Sequence, residues 1–132
     1  MEVVKKAVPR RILIIEDEKS LRQVVRSKLE AEGFVVSVLT NGDNILRAIT
    51  KDNPDLILMD LMLPQTDGLT LLKTIRENSD FNDVKIIVLS NFSQETDVTE
   101  VLKLGATEFL VKADTPLSEL TKLTKHLSLI HI

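Results

Sequence analysis

Four apolar runs in this sequence each end on a residue suited to a charged, oxygen-rich group. Residues 12–15 lead into Glu16, Asp17 and Glu18, residues 56–59 into Asp60, residues 84–89 into Ser90, and residues 109–111 into Lys112. Each alone has an ordinary role, since a carboxylate after a strand commonly caps the next helix. Gathered at one edge, they supply acids, a hydroxyl and an ammonium. Carboxylates brought together raise one another's proton affinity unless a cation neutralises them. A hard ion that prefers oxygen ligands, Mg²⁺ or Mn²⁺, suits that need. With the ion on Asp17 and Asp60, one Asp60 oxygen remains a nucleophile for phosphorus, and Glu16 reaches the metal through a water. Lys112 and the Ser90 hydroxyl would meet the equatorial oxygens of the transferring group. The new oxygens can also pull Ser90 and its loop inward, which makes the product a switch.

Bringing those positions together requires a particular order of elements. Five short apolar runs, residues 12–15, 34–39, 56–59, 84–89 and 109–111, are rich in Val and Ile, and the first, third and fourth are nearly continuous. That is the pattern of strands covered on both faces. Between them the period changes to that of helices: Leu21, Val24, Val25, Lys28 and Leu29; Ile45, Leu46 and Ile49; Leu69, Leu72 and Ile75; Val98, Val101 and Leu102; Leu117, Leu120, Leu123 and Leu127. Gly33 closes the first helix, Gly42 and Asp43 open the second, Asn53-Pro54 stops it, Gly105 closes the fourth, and Pro116 suits the first turn of the fifth. Strands alternating with helices make a parallel sheet with right-handed crossovers, a three-layer doubly wound (βα)5 domain. Chemistry is then expected beyond the C-terminal ends of the strands.

Composition narrows the function. At 132 residues there is room for one domain, and 43% hydrophobic with 28% charged residues is a globular balance. Residues 1–9, ending at Pro9, read as an N-terminal extension, residues 10–128 as the domain and residues 129–132 as a tail. With no cysteine, disulfides and thiolate metal sites are excluded. The start lacks the continuous apolar stretch of a secretory signal and no segment approaches a membrane span, so a cytoplasmic protein without membrane insertion is expected. A net charge of −3 without a basic stripe argues against direct nucleic-acid binding.

The stretches ILIIEDEKSLR, LILMDLMLPQTDGLTLL, KIIVLSN and GATEFLVKA resemble, in that order, the receiver domain of bacterial two-component response regulators. The resemblance implies a flavodoxin-like fold with strand order 2-1-3-4-5. It places Glu16 and Asp17 at the acidic pair, Asp60 at the phosphoacceptor, Ser90 and Lys112 at the hydroxyl and lysine positions, and Phe109 at the aromatic switch position. Met62 would offer a backbone carbonyl to the metal. A histidine kinase or histidine phosphotransfer protein is the implied donor, with phosphotransfer and dephosphorylation self-catalysed. The face made by the fourth helix, fifth strand and fifth helix is implied for a protein target or a homodimer; Thr96, Val98, Lys103, Phe109, Leu117, Glu119 and Lys122 lie around it. Pro64 and Gly68 fit a tight loop after Asp60, capped by Thr66 or Asp67.

Two positions depart from the family. Asn91 stands where Ala or Gly is usual, and its amide can crowd or hydrogen-bond the approaching phosphoryl group, slowing the reaction. Ala113 stands where Pro normally follows the lysine through a cis bond. A cis bond without proline costs roughly 2.5–4 kcal/mol, so either the bond is trans with a remodelled loop or strain is retained. Met62 and Phe92 flank the phosphate with apolar side chains that cannot orient a hydrolytic water, implying a long-lived phosphoform. The competing reading is a receiver-like module that binds proteins without phosphorylation. A hydrolytic enzyme would need a further acid/base group or substrate pocket that the strand ends do not offer.

Overall fold

The structure, a computed structural model, describes residues 10–91 and 98–128. The expected N-terminal extension, Phe92, Thr96 and the tail at 129–132 lie outside the described residues. Strands β1 (Arg11–Ile15), β2 (Val35–Leu39), β3 (Leu56–Met59), β6 (Lys85–Ser90) and β7 (Glu108–Val111) form one parallel sheet in the order β2-β1-β3-β6-β7. Counting these strands alone, the order is 2-1-3-4-5, as the resemblance implied. Helices α1 (Lys19–Ala31), α2 (Ile45–Asp52), α3 (Gly68–Glu77) and α4 (Val98–Lys103) fill the crossovers, and α5 (Leu117–Ser128) follows the last strand.

Alternation of side chains along the strands explains the near-continuous apolar runs. Leu13, Ile15, Ile57, Met59, Ile86 and Val88 pack with Ile45, Ile49, Leu72, Ile75 and Val101 of α2, α3 and α4. Their neighbours Ile12, Ile14, Leu56, Leu58, Ile87 and Leu89 pack with Val25, Leu29, Leu120 and Leu127 of α1 and α5. Both faces of the sheet are therefore buried, and the central strands are apolar except at their ends, where Arg11, Lys85 and Ser90 stand. The strand order reverses between β1 and β3, where crevices open at the strand C-termini.

Several local expectations are corrected. Val24, Leu46, Val98 and Leu102 belong to the apolar patterns but stand in solvent, with Val24 51% exposed, because each lies beside the buried stripe of its helix. The second helix begins at Ile45, and its cap is Asn44 in the left-handed region at φ 60°, rather than Gly42 or Asp43. The loop after Asp60 contains a short antiparallel ribbon, β4 (Met62–Leu63) with β5 (Thr66–Asp67), turning through Pro64 and Gln65. Asp67 caps α3 by accepting from the Leu69 amide over 3.1 Å, which settles the choice between Thr66 and Asp67.

Candidate functional site

Backbone pairing brings the acids together. Ile15 is in register with Met59, so Glu16 and Asp60 leave the sheet side by side. The ladder continues past both strand ends, Glu16 N–H donating to Leu39 O at 3.0 Å and Asp60 N–H to Ile15 O at 3.1 Å. Glu16 and Asp60 are buried and Asp17 is exposed at the mouth, and one carboxylate oxygen of each lies within 4.8 Å of the others. Lys112 Nζ comes from the end of β7 and stands 2.8 Å from both Glu16 Oε1 and Asp60 Oδ2. Ser90 Oγ donates to Asp60 Oδ1 over 3.1 Å, and the Met62 amide donates to the same oxygen over 2.9 Å.

The carboxylates of Glu16, Asp17 and Asp60 outnumber the one ammonium among them, an excess of negative charge that favours a cation. The donors are all oxygens, as a hard ion requires, so the cluster fits such an ion. Burial pushes Glu16 above its ordinary value, and the Lys112 hydrogen bond only partly opposes this. Burial also works against the Lys112 ammonium, but hydrogen bonds to Asp60 and Glu16 outweigh it and raise Lys112. The lysine is thus held charged between two carboxylates, one of which resists ionisation.

The response regulator receiver domain model matches residues 12–125 of the chain. This chain belongs to the response regulator receiver domain family. It is 40% identical over 106 residues to the transcriptional regulatory protein BaeR of Escherichia coli O6:H1, a match covering 80% of this chain and 43% of BaeR. The chain thus spans less than half the length of that relative. It superposes on the BeF3-activated N-terminal receiver domain of Klebsiella pneumoniae RstA with a TM-score of 0.77 at 28% identity, covering 89% of this chain and 98% of that domain. The Mn(2+)-bound form of the response regulator Rcp1 gives a TM-score of 0.76 at 26% identity, with 94% and 99% covered.

As a receiver domain, the chain has its phosphoacceptor site at the Glu16, Asp17 and Asp60 cluster, an arrangement consistent with a signalling switch based on aspartate phosphorylation. The two departures from the family have distinct outcomes. Among the described residues there is no cis peptide bond, so Lys112 and Ala113 are joined in trans. A 3-10 turn over Lys112–Asp114 takes the chain onward, with Thr115 Oγ1 donating to Val111 O at 2.8 Å. With this trans bond the ammonium still reaches Asp60. Asn91 directly follows Ser90 and is exposed.

Met62 presents its amide to Asp60 while its side chain is 69% exposed. Phe109 is half-buried, in register with Val88 and packed against the α3 and α4 side of the core. Sequence reasoning placed Glu18 among the acids ending the first run without giving it a role of its own, and missed Arg22. Glu18 donates its amide to Glu16 Oε2 at 3.1 Å and brings a third carboxylate to 3.9 Å from Lys112. Arg22 contacts the backbone of the acidic pair. Its signal was its place one helical turn past the acids, where a side chain leaning toward the helix N-terminus can reach back. No described helix is long and apolar enough to cross a membrane.

Proposed function

We propose that Asp60 takes a phosphoryl group from a histidine kinase or histidine phosphotransfer protein, and that the change alters which protein the domain binds. An Asp60 oxygen attacks phosphorus, the bond from phosphorus to the donor nitrogen breaks, and the nitrogen keeps the electron pair. Mg²⁺ or Mn²⁺, held by Glu16, Asp17 and Asp60 with the Met62 carbonyl, would neutralise charge on the transferring group. Lys112 shifts its hydrogen bond from Asp60 to a phosphoryl oxygen, and Ser90 donates to another. Since Ser90 ends β6 and Phe109 lies on the neighbouring β7, movement of Ser90 is passed to the face formed by α4, β7 and α5. That face would receive a protein target or a second copy of the chain. The apolar Met62 side chain offers no hydrogen bond to a hydrolytic water, which favours a long-lived phosphoform.

The observation that carries this reading is Asp60 itself, buried yet contacted at once by Lys112, Ser90 and the Met62 amide. Intact mass after incubation with Mg²⁺ and acetyl phosphate tests it, with Asp60→Ala as control. A gain of about 80 Da that needs both Asp60 and the metal is expected. Failure with the small donor and also with a competent donor kinase would favour the phosphorylation-independent binding module.

A further inference from the structure

We infer that Arg22 is a positioning residue for the divalent-cation site, acting through the backbone that carries Glu16 and Asp17. One terminal guanidinium nitrogen, Nη1, donates to Glu16 O at 3.0 Å and to Asp17 O at 3.2 Å. The inference rests on reading Glu16 and Asp17 as metal ligands.

The reach has a simple origin. Arg22 N–H donates to Glu18 O at 3.0 Å, which puts Arg22 in the first turn of α1. Helical side chains lean toward the N-terminus of their helix, so from this turn a long side chain folds back over the preceding loop. There it ties two successive peptide carbonyls to one rigid group. A carboxylate is only as well placed as the backbone that bears it. Glu16 has other anchors, its amide on Leu39 O and its carboxylate on Lys112 and the Glu18 amide. Asp17 is exposed, and its carbonyl is held by Arg22. Arg22 also shares with Glu16 and Asp60 the wall of a cavity of about 10 Å³.

The sign of the effect separates positioning from simple charge. Arg22 is a cation beside an acidic cluster, so Coulomb repulsion alone predicts that removing it tightens binding of a second cation. Positioning predicts the reverse. Groups that orient metal ligands typically contribute about 10- to 100-fold in affinity.

Mn²⁺ binding to the full chain is titrated by electron paramagnetic resonance for the parent, Arg22→Lys and Arg22→Gln, with metal-free melting temperatures measured alongside. The Kd is expected to rise about tenfold in Arg22→Gln and less in Arg22→Lys, which keeps the charge and one donor group. An unchanged or tighter Kd in folded Arg22→Gln overturns the inference, as does a lowered melting temperature with Kd unaltered, which would make Arg22 a helix anchor only. If Arg22→Gln does not fold, Arg22→Lys decides: a weaker Kd supports positioning and a parental Kd overturns it. A parent chain that binds no Mn²⁺ would instead refute the metal-site reading, taking this inference with it.

Discussion

The Lys112 ammonium stands 2.8 Å from Asp60 Oδ2 although the peptide bond that follows Lys112 is trans and leads to alanine. The position of this lysine is thus set by its strand and by its carboxylate partners. The loop beyond it does not need the bend that a cis proline would provide. This relationship makes the phosphoacceptor pocket electrostatically tense, and its consequences can be measured.

Removing the ammonium leaves Glu16 and Asp60 buried without their cation. Lys112→Met is expected to destabilise the metal-free protein by about 3 kcal/mol at pH 7, the usual scale for breaking a buried pair from one side. Lys112 is raised in the folded state, so its contribution is complete below its unfolded value of 10.5 and fades as pH climbs through the higher folded value. The gap between parent and variant should therefore persist from neutral pH to about pH 10, and close in acid once the carboxylates are protonated. Urea unfolding across pH checks it, and equal stabilities at pH 7 would contradict it.

Glu16 trades stability for binding. Burial raises it, so the folded state holds its proton to higher pH than the unfolded chain does. The ionised carboxylate then costs stability above the folded value and nothing below the unfolded value of 4.5. Glu16→Gln should melt higher than the parent at pH 7 without metal, with the difference vanishing toward pH 4.5. Mn²⁺ affinity should fall in the same variant. A lower melting temperature at pH 7 would mean that the Lys112 bond outweighs burial.

Gly68 is demanded by a close backbone approach. A Cβ there would overlap Leu61 O and Leu61 Cα, and the Gly68 amide already donates to Leu61 O at 3.2 Å. Gly68→Ala should cost about 2 kcal/mol or more and shift the amide resonances of Asp60 through Leu63, because the loop must open. Parental stability together with parental shifts would refute this.

Gln65 occupies the left-handed region at φ 59° in the turn of the ribbon. That conformation costs a non-glycine residue roughly 1–2 kcal/mol, while glycine loses about 0.5–1 kcal/mol of extra chain entropy on folding. Gln65→Gly should therefore stabilise by about 0.5 kcal/mol, visible as a higher urea midpoint with an unchanged slope.

Much of this molecule was determined by sequence alone. Two-sided burial forces continuous apolar strands, helices need a 3.6-residue period, and crossovers between parallel strands follow from that alternation, so the layers were legible before any coordinates. The residues ending each strand were legible for the same reason, since only the strand ends escape the apolar requirement. Family resemblance supplied the strand order and the places of the Met62 carbonyl and Phe109.

Tertiary structure decided what depends on distances between separate segments. Whether Val24 or Val25 is buried turns on where α1 rests against the sheet, which periodicity within the helix does not contain. That the Lys112 ammonium reaches two carboxylates, brought from β1 and β3, across a loop with a trans bond appears only once those strands are paired. Arg22, meanwhile, acts on backbone carbonyls, and a carbonyl is the same in every residue type. Side-chain chemistry at strand ends can be read from letters, whereas a contact to the main chain exists only once the chain has been folded.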